Sequence, residues 1–150
     1  MSLKQQIDHD IKTAMLAGDK TLVTTLRGLK SSILYVEVAQ GKRDEGLADD
    51  QIEGLLSKEA KKRQESADLY AQGGDKERQA AELEEKRVIE QYLPAALSED
   101  DLKKMVDEVM SQQGATSMAD MGKVIGAVKA QAGNAADGAV IARLVKEKLQ

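Results

Sequence analysis

Few side chains in this sequence are equipped for chemistry. Cysteine is absent and there is one histidine, His9. Disulfides, thiolate metal sites, cysteine nucleophiles and any site needing two histidines are therefore excluded. His9 sits between Asp8 and Asp10, off the positions of Ile7 and Ile11, and reads as a solvated surface residue rather than a base. Carboxylates cluster at Asp44-Glu45, Asp49-Asp50 and Glu82-Glu84-Glu85. Paired acids can do proton transfer or hold Mg²⁺. Here they read instead as loop charge, helix caps and a solvated helix face, with Glu82 in i,i+4 reach of Arg78 and Lys86. The chain has no phosphate-cradling P-loop, no HExxH and no GxSxG. No catalytic residue, cofactor or metal is expected.

Two stretches suit binding better than catalysis. Lys58, Lys61 and Lys62 are three and four apart, so on a helix they form a basic stripe with Arg63 beside it. Glu59 and Glu65 dilute that stripe, which is either an exposed face with salt bridges or a phosphate- or partner-binding strip. In Met121-Gly122-Lys123-Val124-Ile125-Gly126, two glycines four apart interrupt a helical pattern. Each costs about 1 kcal/mol relative to alanine. On one face they admit the close approach of another backbone, either a neighbouring helix or a ligand's sugar-phosphate chain. Lys123 and Lys129 flank them, and Gly133 and Gly138 bracket the next turn.

The elements that must position these residues are legible as helices. Leu3, Ile7, Ile11 and Met15 repeat at helical spacing, ended by Gly18. Asp19 caps a second helix whose face is Leu22, Leu26, Leu29 and Ile33, widened by Val23, Leu34 and Val36 and ended by Gly41. After a polar loop at 41–48, Asp50 and Glu53 resemble a capping box. The third helix then turns Ile52, Leu55, Leu56, Ala60, Ala67 and Tyr70 inward, up to Gly73 and Gly74. A fourth spans 75–93 with the stripe Ala81, Leu83, Val88, Ile89, Tyr92 and Leu93, stopped by Pro94. Ser98 caps a fifth (Leu102, Met105, Val106, Val109, Met110), which Gly114 ends. Ser117 caps a sixth (Met118, Met121, Val124, Ile125, Val128) and Asp137 a seventh (Val140, Ile141, Leu144, Val145, Leu149). The prediction is an all-α protein, with a four-helix domain over 1–94 and a three-helix domain over 95–150.

Composition narrows the partners. There is no Trp or Phe and only Tyr35, Tyr70 and Tyr92, so recognition of stacked bases is disfavoured while backbone contacts from Lys and Arg stay open. The net charge of −4 argues against an indiscriminate nucleic-acid binder. It is an average, because residues 114–150 carry five Lys or Arg against three Asp or Glu. No apolar run approaches the roughly 20 residues needed to span a bilayer. The first residues lack a signal-peptide core, and the missing cysteine suits a reducing compartment. A soluble, cytoplasmic protein is expected, with no membrane partner and no small-molecule substrate.

In order and spacing, several stretches resemble the YqeY family. They are Lys61-Lys62-Arg63-Gln64-Glu65-Ser66 with Tyr70, Glu82, Glu85 and Tyr92-Leu93-Pro94, then Met121-Gly122-Lys123-Val124, Ala136-Asp137-Gly138 and Leu144-Val145-Lys146-Glu147-Lys148-Leu149. Ile125 stands where that family often has a second methionine, a swap that suits a core position. The family is in turn similar to the helical and tail regions of the B subunit (GatB) of tRNA-dependent Asp/Glu-tRNA amidotransferase, which recognise the tRNA body. The resemblance links the chain to carbon–nitrogen ligase activity with glutamine as amido donor, but the catalytic parts of that enzyme have no counterpart here. It implies a non-catalytic, tRNA-associated accessory module, with 95–150 as the tail-like domain. Lys123, Lys129, Arg143 and Lys146 would meet phosphate, Gly122 and Gly126 would admit the backbone, and the 58–63 stripe would be secondary. The competing expectation is an adaptor that docks a helix face on a translation-related enzyme without touching nucleic acid.

Overall fold

The computed structural model describes residues 1–150. It is all-helical: α1 (Leu3–Ala17), α2 (Lys20–Ala39), α3 (Asp49–Gln72), α4 (Lys76–Glu90), α5 (Glu99–Gln113), α6 (Met121–Ala132) and α7 (Gly138–Leu149). Short 3-10 turns precede α6 and α7. The chain divides into two compact units, Met1–Leu93 and Pro94–Gln150. No helix is long and apolar enough to cross a membrane.

In the first unit, local signals set the ends of α1 and the start of α2. The Ser2 hydroxyl accepts the Gln5 N–H, and the Gln5 side chain accepts the Ser2 N–H in return. Gly18 closes α1 in the left-handed region at φ 73°, where a Cβ would be strained. The Asp19 carboxylate then accepts the Leu22 N–H at 3.1 Å to start α2. Ile7, Ile11, Leu26, Leu29, Ile33, Ile52, Leu56, Ala60, Val88, Ile89 and Tyr92 meet in one core. Each fully buried Leu or Ile there contributes about 1.5–3 kcal/mol.

One charged side chain lies inside that core. Glu37, at 0% exposure, sits four residues after Ile33 on the same helical face. Lys4 Nζ donates to both of its oxygens, at 2.9 and 3.0 Å. The Leu47 N–H donates to Oε1 at 3.1 Å, which ties the loop after α2 to the carboxylate. Burial pushes this carboxyl's pKa up, but the Lys4 and Leu47 bonds outweigh burial and leave it below the ordinary 4.5.

Several expectations fail here. The start of α3 is capped at Ala48, whose N–H donates to the Gln51 side chain, and not by an Asp50–Glu53 box. Asp50 instead accepts the neighbouring Gln51 N–H, and Asp49 accepts the Leu3 N–H of α1. Leu34 does not widen the core face of α2; it is exposed. Ala81 and Leu83 are exposed as well. Between residues 61 and 87 only Ala67 is buried, because α1 and α2 cover only the part of the α3–α4 hairpin near Ala60 and Val88. Nor does α4 run to Pro94. It ends at Glu90, and the Tyr92 and Leu93 amides make tighter i→i+3 bonds to Ile89 and Glu90. The Tyr92 hydroxyl donates to the Asp10 carboxylate on α1, and burial, then Asp10, pushes the phenol's pKa well above its usual range.

The uncovered part of the hairpin is held by polar contacts. Arg63 Nε donates to Glu85 of α4 at 2.8 Å and its Nη1 to Glu59 at 3.0 Å, with Glu82 also facing it at 3.9 Å. Lys86 donates to Gln64 at 2.9 Å, and the Arg78 guanidinium lies 5.9 Å from the centre of the Tyr70 ring. Arg63→Ala should therefore cost about 2 kcal/mol locally, the range for hydrogen bonds to charged groups. Amide exchange over 61–87 should accelerate roughly 30-fold while the amides of α1 and α2 keep their protection. Uniform acceleration across the unit would show that the hairpin does not open by itself.

The second unit is built on α5, α6 and α7. Ser98 caps α5 through the Asp101 N–H, and Gly114 ends it at φ 64°. Ser117 is the N-cap of a 3-10 turn that runs directly into the sixth helix, and not of α6 itself. Met118–Asp120 form that turn, and the Asp120 carboxylate accepts the Thr116 and Ser117 N–H groups. Those bonds, Thr116 first, hold its pKa below the usual carboxylate value. Asp137 caps α7 through the Ala139 N–H at 2.9 Å, and the Leu97 N–H donates to the Ala135 carbonyl at 2.8 Å. Leu102, Val106, Val109, Val124, Val128, Ala132, Ile141, Leu144, Val145 and Leu149 form the core.

Candidate functional site

The face of α6 that matters is the one turned away from its core. Val124, Val128 and Ala132 recur every fourth residue and are buried. Gly122, Gly126 and Ala130 are exposed on the other side. At about 100° per residue these three small residues fall within roughly 80° of one another. Lys129 stands about 20° beyond one edge of the strip and Lys123 about 20° beyond the other. Both lysines are exposed. The result is a shallow, small-residue strip bordered on each side by a cation.

No helix packs on this strip. A Cβ built at Gly122 or Gly126 meets nothing within 4 Å. Close helix packing, one of the two explanations open for the glycine pair, is thereby removed within this unit. No acid occurs between Asp120 and Asp137, and the nearest carboxylate is Asp120 at the start of α6, close enough to Lys123 for the lysine's charge to help lower its pKa. The Lys129 side chain lies over the first turn of α7, its Cε 2.9 Å from where a Cβ at Gly138 would stand. Lys146 is exposed near the far end of α7, about 12 Å along the axis from Gly138.

Arg143 is placed differently. Its guanidinium donates to Glu99 of α5 at 2.8 Å and to Glu147 at 3.1 Å, bonds that raise its pKa and lower that of Glu99. A phosphate would have to compete with two carboxylates there. The stripe at 58–63 is also reduced. Arg63 is engaged between α3 and α4, and Lys62 faces Glu59 at 3.4 Å, while Lys58 and Lys61 are exposed. Arg63 is thus a cross-strut of the hairpin and not a surface cation.

The acidic cluster at 82–85 is occupied in the fold. Glu82 and Glu85 face Arg63 instead of pairing with Arg78 and Lys86, which turn to Asp75 and Glu90. Glu84 pairs with Arg87. His9 is exposed, and no group of three His, Asp or Glu side chains converges as a metal site would require. A hollow of about 130 Å³ between α5 and α7, lined by Lys103, Val106, Leu144, Glu147 and Lys148, is too small for a drug-sized ligand. The Lys4–Glu37 pair went unforeseen. Its signal was a glutamate on the stripe Leu26, Leu29, Ile33, where the pattern calls for an apolar residue.

A family model described as Yqey-like protein matches residues 4–149. The chain belongs to the YqeY-like family. The match takes in both units of this YqeY-like protein, from the second residue of α1 to the last of α7. No curated protein matches the chain.

Proposed function

We propose that this YqeY-like chain is a non-catalytic accessory module that associates with tRNA, or with structured RNA of similar backbone, through the outer face of α6. One observation supports this most directly: two exposed lysines border an uncovered small-residue strip on a helix without acids. A sugar-phosphate backbone is an extended polyanion. It can lie close over the strip while the lysines on either side reach successive phosphates. Lys123 and Lys129 are the primary contacts in this reading, Lys146 extends the track, and Gly122 and Gly126 set the closeness of approach. Arg143 joins only by releasing Glu99 or Glu147. The relation to the GatB tail of glutamine-dependent amidotransferase belongs to the same proposal, without its ligase chemistry.

Phosphate contacts release counterions, so affinity must fall steeply with salt. A titration of the full chain with unfractionated tRNA should show binding at 50 mM salt that weakens about tenfold or more by 200 mM. Lys123→Ala with Lys129→Ala should reduce low-salt affinity about tenfold or more and flatten the salt slope by about two contacts. Absence of binding at low salt would remove the RNA reading. Binding untouched by the double substitution would remove this face from it.

A further inference from the structure

The outer face of α2 shows a second uncovered surface of different chemistry. Lys20, Thr24, Arg27, Ser31, Leu34 and Val38 are all exposed. Their spacing puts them within about 80° of one another around the helix, over roughly 27 Å of its length. Leu34 is 44% exposed, Val38 56%, and Tyr35 beside them 77%. The surface is polarised along its axis, with cations toward its start and large apolar side chains toward its end.

Its charge is one-sided. The only acid within α2, Glu37, is buried against Lys4. Asp19 is occupied in capping the helix. Lys30 points off this face to Asp8 of α1 at 2.6 Å, while Arg27 Nη2 reaches only the sulfur of Met15 at 3.6 Å. No carboxylate on α2 therefore answers Lys20 or Arg27. Two copies of α2 laid against each other would bring cations to cations in parallel, and cations to Leu34 and Val38 in antiparallel. Neither arrangement supplies an acid, so self-pairing of this face is disfavoured. A phosphate surface would suit the cations but leave Leu34, Tyr35 and Val38 against polar groups.

We propose that the outer face of α2 docks an amphipathic helix of a partner protein, acidic where it meets Lys20 and Arg27 and apolar where it meets Leu34, Tyr35 and Val38. Tyrosine and arginine are the residue types that most often anchor such interfaces, with apolar burial at the centre and charges at the rim. This docking face lies in the first unit, on a different helix from the RNA-facing strip. Loss of either function leaves the other readable.

The test is a selection on the intact protein. A phage-displayed library of helical peptides about 18 residues long, matched to the stripe, is panned on the full chain and on Leu34→Glu with Val38→Glu. Both positions are exposed, and circular dichroism checks that the variant keeps its helices; Tyr35→Ala serves as a milder second variant. Peptides enriched on the wild-type chain should share an apolar i,i+4 pair at one end and Asp or Glu at the other. They should bind the double variant, and Arg27→Glu, about tenfold or more weakly, the loss of one good anchor. Equal enrichment on the wild-type and double-variant chains, or enriched peptides lacking acids, would overturn the proposal. So would co-sedimentation with anionic phospholipid vesicles, or self-association in the ultracentrifuge, if either is abolished by the same variants. Those outcomes would assign the face to a lipid surface or to a second copy.

Discussion

Replacing Lys4 with methionine is expected to destabilise the first unit by about 3 kcal/mol at pH 7, the low end of the cost of leaving one partner of a buried pair uncompensated, because the Lys4 side chain is itself 35% exposed. Methionine keeps the length of the side chain and its helix propensity, so the change isolates the charge. Glu37 would stay enclosed, at 0% exposure, with the Leu47 N–H as its one remaining donor shown at the carboxylate. All three tyrosines lie in residues 1–93, so urea unfolding followed by tyrosine fluorescence reports this unit alone.

The pH dependence gives the loss a signature. In the native protein the Glu37 carboxyl lies below its ordinary 4.5. A carboxyl with a depressed folded pKa contributes stability that is complete above the unfolded value and lost as pH falls through the folded value. Without Lys4, burial is the larger influence and the direction reverses. The carboxyl then protonates above 4.5, so the gap between variant and wild type should be widest at neutral pH and narrow as pH approaches 4. Adding Glu37→Gln to the variant should recover more than half of the loss, because the amide carbonyl still accepts the Leu47 N–H without a charge to bury. A pH-independent gap, or no recovery with Glu37→Gln, would show that Lys4 acts through packing.

The second large effect runs toward greater stability. Gly122→Ala with Gly126→Ala should stabilise the second unit by about 1–2 kcal/mol, since a glycine in a helix interior, as at Gly126, costs about 1 kcal/mol relative to alanine and one in the first turn, as at Gly122, costs less. The usual obstacle is absent: a Cβ at either position meets nothing within 4 Å. A gain of that size raises the melting temperature of a small domain by roughly 4–8 °C per kcal/mol, measurable by calorimetry. If α6 receives a sugar-phosphate backbone, the two added methyl groups hold it off the helix, and tRNA affinity should drop several-fold although both lysines remain. Higher stability with unchanged RNA affinity would leave the glycines without a role in contact. A fall in stability would mean that something does cover the strip.

These experiments divide according to what the chain reveals before it folds. Helix boundaries at Gly18, Asp19, Ser98, Gly114 and Asp137 were determined by the sequence, because capping joins residues two to four apart and depends only on side-chain type and backbone sterics. The all-α character came from the same source, the 3.6-residue recurrence of apolar side chains. Where a local signal had a competitor nearby, both lay within a few residues and pattern alone did not rank them: Gln51 over Asp50 before α3, and Asp120 as acceptor for the Thr116 and Ser117 N–H groups before α6. Long-range partnerships were decided by the tertiary structure alone. Lys4 and Glu37 are 33 residues apart, and Arg63 finds Glu85 22 residues on, distances at which spacing carries no information. The same holds for the candidate site. The sequence determined that Gly122, Gly126, Lys123 and Lys129 share a helix and flank one another, since the helical repeat sets their angles. Only the packing of α5 and α7 on Val124 and Val128 decided that the glycines face open space, because burial depends on which neighbours arrive and on which side.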